Sequence, residues 1–362
     1  MSSALYERIK SNKFTSNGEY KNLKYGICEM QGWRNEMEDS NCVFKSQSDQ
    51  DEWSFYAVFD GHGGSFSSKM SSEYLWGQIY QEMLENSSRN RNDSKNSFRL
   101  NSLSPEEIIN SVKNGFYTFD RKLLERVKSL NYEDKSGTTV IAALITINYI
   151  YLINCGDSRG ILVRDNQIEI NTFDHKPTQL KERQRIQNAG GLVALNRVNG
   201  GLATSRGLGD FDYKNIPNLD QNKQFVTCEP DVYVSKRSLN DRYLVLACDG
   251  IWDVLDNESV KNLIDQKLQT TNINNENFVE LLSEDLVLKS FEKGSKDNMS
   301  AVIIYFSQKM NKTTTTNNNK IDESLQHSAR GIRKESSLNS RSDLSQSSNN
   351  IKKISSAVFG KK

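Results

Sequence analysis

An α+β fold is predicted for this chain on three observations. Six short apolar runs, at 55–59, 139–147, 149–154, 160–164, 243–248 and 300–306, have the length and bounding residues of buried strands. Segments with helical spacing intervene between them. The stretches before Tyr25 and after Phe306 are too polar to join the same core.

Taken in order, residues 1–22 read as a polar lead-in. The run Phe55-Tyr56-Ala57-Val58-Phe59 stops abruptly in Asp60-Gly61-His62-Gly63-Gly64, a strand ending in a turn, with a helix expected after Gly64. Residues 86–103 form a polar insertion, expected to be a mobile loop. Ser104-Pro105-Glu106-Glu107 combines an N-cap serine, a proline at the first helical position and a capping-box glutamate. Ile108, Ile109, Val112, Phe116, Phe119, Leu123 and Leu124 then follow at helical spacing. The runs 139–147 and 149–154 meet at Asn148, which suggests a hairpin or a close strand pair. A helix is predicted over Lys181–Asn188, stopped by Gly190-Gly191. Tyr243–Cys248 runs into Asp249-Gly250, and another helix is expected after Asp253.

Composition narrows the class. Of 362 residues, 26% are charged and 36% hydrophobic, which suits a globular protein with a real core. No apolar run is long enough to span a bilayer, no signal-peptide pattern opens the chain, and Met1-Ser2-Ser3 lacks the glycine that myristoylation needs. Cys28, Cys42, Cys155, Cys228 and Cys248 are odd in number and lack paired spacing. Reduced thiols and a cytoplasmic or nuclear location are therefore expected. From Ser307 onward there are 11 Lys/Arg against 4 Asp/Glu, a basic tail on a mildly acidic body. A nucleic-acid binder would carry its basic patch on the folded part, so that class is set aside.

The acids carry the chemistry. Asp60 and Asp249 each end an apolar run and precede a glycine. Glu38-Asp39, Asp157 and Asp297 sit at comparable junctions. A lone aspartate there is usually a turn acid. Two strand-terminal Asp-Gly pairs point instead to carboxylates aimed at one place, and the following glycine leaves its carbonyl accessible. Clustered carboxylates repel unless cations neutralise them, and an all-oxygen donor set suits Mg²⁺ or Mn²⁺. There are three histidines, His62, His175 and His327. His62, two residues from Asp60, is the candidate general acid, with direct metal ligation as its rival role. Arg34, just ahead of Glu38-Asp39, could hold a phosphoryl group through two parallel hydrogen bonds. Cys28-x5-Arg34 has the spacing of a cysteine phosphatase loop, but Glu29 and bulky neighbours speak against a thiolate there.

Together these segments resemble the metal-dependent type 2C protein serine/threonine phosphatases. The matches run in order: Met30-Gln31-Gly32-Trp33-Arg34 with Met37-Glu38-Asp39; Phe59–Gly64; Ser136-Gly137-Thr138-Thr139; Asn154–Gly160; Asp174-His175-Lys176-Pro177; Leu202–Asp210; Ala247–Asp253; and Asp297-Asn298-Met299-Ser300. The resemblance implies a four-layer α/β/β/α sandwich over 23–306, with two central antiparallel sheets flanked by helices and a flap at about 175–212. It implies two Mg²⁺ or Mn²⁺ ions, bridged by Asp60. Asp249 and Asp297 would complete one site. The Gly61 carbonyl, with Glu38 through water, would serve the other, and Asp39 belongs to the same acid set. Asp157, Asp249 and Asp253 would form a weaker third position. Phosphoserine and phosphothreonine in protein substrates would be hydrolysed by a metal-activated water, with Arg34 and Arg206 contacting substrate and no covalent phosphoenzyme. The alternative is a catalytically inactive, phosphatase-like binding module. A monomer is expected. In the tail, Arg333-Lys334-Glu335-Ser336 suggests a phosphorylation site, and the basic, apolar 351–362 suggests weak peripheral membrane contact.

Overall fold

Val140–Thr146 explains why the strand signals are continuous apolar runs. Val140, Ala142 and Leu144 pack into one core, while Ile141, Ala143 and Ile145 pack into another. A strand sends alternate side chains to opposite faces. Both faces of this strand are covered, so no polar residue interrupts it. Tyr243, Val245 and Ala247 likewise enter a third core, and Leu244 and Leu246 enter the one that Ile141 joins. The structure, a computed structural model, describes residues 10–90, 98–130 and 133–307. The expected phosphorylation and membrane-contact segments of the tail lie outside these residues.

Two antiparallel sheets face each other across the shared core. One holds six strands in the order Lys10–Tyr20, Leu23–Gly32, Met299–Phe306, Asp241–Ala247, Arg159–Arg164, Gln167–Asn171. The other holds five: Asp231–Lys236, Tyr149–Cys155, Val140–Thr146, Trp53–Phe59, Ser40–Lys45. Helices Phe66–Asn90 and Pro105–Lys128 cover the five-stranded sheet. Helices Asp249–Trp252, Asn257–Thr270 and Phe278–Glu292 cover the six-stranded one. The result is the four-layer arrangement. Val140–Thr146 and Tyr149–Cys155 pair as a tight hairpin with Ile147-Asn148 at its tip, as expected.

The Pro105–Lys128 helix follows its sequence signals. Ser104 Oγ accepts from the Glu107 N–H at 3.2 Å, and the Ser104 N–H donates to Glu107 Oε2 at 2.8 Å. Ile108, Val112, Phe116, Phe119 and Leu123 are buried. The helix Leu180–Asn188 ends at Gly190-Gly191 as predicted. It belongs to a lobe with its own small core of Ile186, Val198 and Val226, which extends past residue 212.

Two expectations need correction. The polar lead-in contains an edge strand, Lys10–Tyr20, paired along Leu23–Gly32. It is held by backbone hydrogen bonds, and Phe14, 73% exposed, adds nothing to the core. The insertion 86–103 is not a loop throughout. Its first residues continue the Phe66–Asn90 helix, where Asn86 Nδ2 donates to Ser111 Oγ at 2.9 Å. Its far end is pinned by Asp51, which accepts from the N–H groups of Leu100 and Asn101 at 2.8 and 2.9 Å.

Candidate active site

The acid-bearing ends of both sheets arrive at one edge. Ala247 pairs with Ala301, so the end carrying Asp249 lies against the start of Met299–Phe306, where Asp297 sits. From the facing sheet comes Asp60, and the Asp249 N–H approaches Asp60 Oδ2 at 3.5 Å. The Asp60 carbonyl is fixed by the Thr139 N–H at 2.9 Å and Thr138 Oγ1 at 3.1 Å. This is one task of the Ser136–Thr139 segment. Gly61 must be glycine, because a Cβ there would fall 2.2 Å from the Glu38 carbonyl oxygen.

Burial, with neighbouring carboxylates adding to it, raises the pKa of Asp39, Asp60, Asp249 and Asp253. Burial, reinforced by Asp39, Asp157 and Asp297, pushes Asp60 well above the ordinary range. Burial with Asp60, Asp157, Asp253 and Asp297 does the same to Asp249. Asp39 is pushed up to about 8, mainly by burial and against the relief of a Ser300 hydrogen bond. Its Oδ2 accepts from Ser300 Oγ at 2.7 Å, while its buried Oδ1 has no partner. Asp253 is raised too, by burial, with Lys176 opposing. Such an oxygen-rich, mutually repelling set with an orphaned buried oxygen fits hard divalent cations. Among the described residues no three of these side chains close around one point as a finished cage. Arg34 is turned onto two of the acids and Lys176 onto another.

Arg34 donates to Glu38 Oε2 at 3.2 Å and to Asp297 Oδ2 at 3.4 Å, and remains 43% exposed. Glu38 also accepts from the Gly64 N–H at 2.6 Å. Asn298 staples the Arg34–Glu38 loop from beneath, donating to the carbonyls of Gln31 and Glu36 at 2.9 and 3.0 Å and accepting from the Glu38 N–H at 2.9 Å. Lys176 donates to Asp157 Oδ2 at 2.6 Å. Burial would lower the Lys176 pKa, but Asp157 raises it above the usual value.

His62 has a partner that sequence reasoning missed. Its Nε2 lies 2.8 and 3.0 Å from the two oxygens of Asp210, to which the Nε2–H donates. Burial would lower the His62 pKa; the Asp210 carboxylate outweighs it, and the pKa is raised. Asp210 sits in a left-handed conformation at φ 53°, and its carboxylate lies against Gly137, where a Cβ would fall 2.1 Å from Oδ2. The buried Asp120–Lys214 pair anchors this turn, Asp120 accepting from the Gly209 N–H and Lys214 donating to the Gly207 carbonyl at 2.8 Å. His62 and Asp210 are separated by 148 positions, so no local pattern announces the pair. The nearest sign was Gly-Asp at the close of the Leu202–Asp210 segment.

Arg206, expected to contact substrate, is committed elsewhere. Its Nε and Nη2 donate to Glu182, and Nη1 donates to the Glu229 carbonyl at 3.0 Å and to Asp231 Oδ1 at 3.1 Å. It ties the helix Leu180–Asn188 to the start of the strand Asp231–Lys236. His175 joins the same network. Its Nδ1 accepts from the Gly156 N–H at 3.0 Å, so Nε2 donates to Asp231 at 3.1 Å. Cys28 is buried, and burial pushes its thiol up to about 12, the wrong direction for a nucleophilic thiolate.

A two-sheet sandwich with this acid cluster, an arginine and an Asp-held histidine at one edge has the makings of a metal-dependent phosphoester hydrolase. The profile described as Protein phosphatase 2C matches residues 23–299, and the chain belongs to that family. It is 39% identical over 305 residues to Protein phosphatase 1A of Homo sapiens, covering 84% of this chain and 76% of that one. Against human Protein phosphatase 1B it is 36% identical over 344 residues, covering 94% and 70%. The fold is shared with the crystal structure of a serine-threonine phosphatase 2C from Toxoplasma gondii, at TM-score 0.65 and 21% identity, over 82% of this chain and 99% of that one. The protein is thus a metal-dependent protein serine/threonine phosphatase.

Proposed function

We propose that this acid-lined edge is the catalytic centre and that it removes phosphate from phosphoserine and phosphothreonine side chains in proteins. The observation that carries the reading is the convergence on one edge of the strand ends that bear Asp60, Asp249 and Asp297, with Arg34 on Asp297 and His62 two residues past Asp60. Asp60, Asp249, Asp297, Glu38 and the Gly61 carbonyl would hold two Mg²⁺ or Mn²⁺ ions, with Asp39 supporting them from behind. Asp157, Asp249 and Asp253 would hold a weaker third. Bound divalent ions supply Lewis-acid charge stabilisation and lower the pKa of water towards 7.

The chain's own groups do the rest. Arg34 releases Glu38 and Asp297 and grips two phosphoryl oxygens, orienting phosphorus for in-line attack. His62, with Nε2 taken by Asp210, offers Nδ1 to protonate the departing serine or threonine oxygen. That step is worth roughly 10² to 10⁴ in rate. Asp210 fixes the ring and stabilises its charged form. No covalent phosphoenzyme is needed, which agrees with a Cys28 thiol that burial keeps protonated.

The buried, unpaired cysteines suit a reducing compartment, and we assign the protein to the cytoplasm or nucleus as a monomer. The catalytic domain spans 23–306, and the basic tail is assigned to weak membrane contact. No observation favours the inactive binding-module alternative. Phosphate release from a phosphothreonine peptide tests the reading. The rate should depend on Mg²⁺ or Mn²⁺, vanish with EDTA and survive Cys28→Ser. Full activity in EDTA would contradict it.

A further inference from the structure

Beside the proposed phosphate site lies a second cationic position. Trp33 immediately precedes Arg34, and Lys296 immediately precedes Asp297. Lys296 Nζ stands 4.1 Å from the centre of the Trp33 ring, and Trp33 in turn stacks on Phe291 at 6.4 Å and 17°. The adjacent contact is Arg34 with Asp297, at 3.4 Å. Consecutive Cα atoms are about 3.8 Å apart, so the two contacts lie side by side at one rim.

The Trp33 ring face attracts the ammonium and steadies it without neutralising it. Among the described residues Lys296 has no carboxylate partner, although this edge of the molecule is rich in acids. The side chain is exposed. An exposed lysine is ordinarily disordered and contributes little. Here Trp33, itself stacked on Phe291, fixes where the Lys296 charge stands, next to the group that would grip the phosphate. Fixing a cation in advance removes part of the ordering cost of an ion pair.

We propose that Lys296, held on Trp33, forms a subsite for an anionic group on the substrate peptide, within about three residues of the phosphorylated one. An extended chain advances roughly 3.3 Å per residue, so such a neighbour reaches the position while the phosphate lies at Arg34. The anion is a carboxylate or a second phosphoryl group on the same peptide. This inference rests on the catalytic reading above.

The test uses the full chain with Mn²⁺ and a matched set of phosphothreonine peptides. Each carries Glu, phosphoserine, Ala or Lys at one position from three before to three after the phosphothreonine. The readout is the ratio of kcat/KM between members of the set. At one or more positions Glu should exceed Ala by about two- to five-fold, the size of a single exposed ion pair, and Lys should fall below Ala. Lys296→Ala should flatten the ratio, Lys296→Glu should invert it, and Trp33→Leu should weaken it. The phosphoserine arm distinguishes the two sources: a gain there alone restricts the anion to a phosphoryl group. Turnover of every peptide with no preference, or a preference that survives Lys296→Ala, overturns the subsite while leaving the catalytic reading intact. No metal-dependent turnover of any peptide overturns both.

Discussion

Replacing Asp210 by Asn probes the catalytic constellation at its least expected point. The change keeps the shape of the side chain but removes the charge that His62 Nε2 meets at 2.8 and 3.0 Å. A hydrogen bond to a charged group is worth about 1.5–3 kcal/mol. If that interaction is realised in the transition state, where the ring must act as an acid, its loss slows turnover by roughly 10- to 150-fold. The loss depends on the leaving group. A phosphothreonine alkoxide needs the proton, whereas p-nitrophenolate departs with little help. kcat measured on both substrates should therefore fall steeply for the phosphothreonine peptide and only slightly for p-nitrophenyl phosphate. Asp210 is buried, so thermal midpoints of both proteins are compared to exclude a folding defect. Equal losses on the two substrates, with the fold intact, would refute the assignment of Asp210 and of His62 with it.

Other consequences are as direct. Asp249→Asn should lower turnover by about 10²–10³-fold or more, as removal of a charge-stabilising group does. It should also raise the melting temperature in EDTA, because it removes one buried charge and the repulsion that, after burial, raises the Asp60 and Asp249 pKa values; a lower melting temperature would contradict that. Arg34→Ala should raise KM for phosphopeptides several-fold, and unchanged steady-state kinetics would remove Arg34 from the site. Against its burial, Arg206 and Arg185 hold the Glu182 carboxyl down to about 2. A carboxyl depressed from its usual 4.5 stabilises the fold above that value and loses its contribution as pH falls towards 2. The contribution at neutral pH is about 3 kcal/mol. In urea denaturation, the stability gap between the parent protein and Glu182→Gln should therefore narrow by about 1 kcal/mol from pH 7 to pH 4; a constant gap would refute the ion-pair account.

What could be read in advance, and what could not, follows from where the signals come from. The strands that deliver Asp60 and Asp249 are covered on both faces, so each shows an unbroken apolar run ending in an acid. Ser104 and Glu107 announce their helix because a cap is a local device. Lys10–Tyr20 gave no warning, because an edge strand held by backbone hydrogen bonds needs no apolar face. Phe278–Glu292 carried no clear signal for the opposite reason: Phe278, Val279, Leu282, Leu286 and Val287 are buried, but the less buried Leu281 and Leu288 are apolar too, and that blurs the helical period. Contacts across long stretches of chain left no trace either. Nothing near Arg206 indicates that Glu182 and Asp231 will consume its donors, and nothing near His62 points to Asp210.

The account depends on divalent cations sitting among these carboxylates. Anomalous diffraction from crystals grown with Mn²⁺ measures this most directly. Two strong peaks are expected, both within coordination distance of Asp60, one also reached by Asp249 and Asp297 and the other by the Gly61 carbonyl. Peaks elsewhere on the molecule, or none at this edge at millimolar Mn²⁺, would contradict the account.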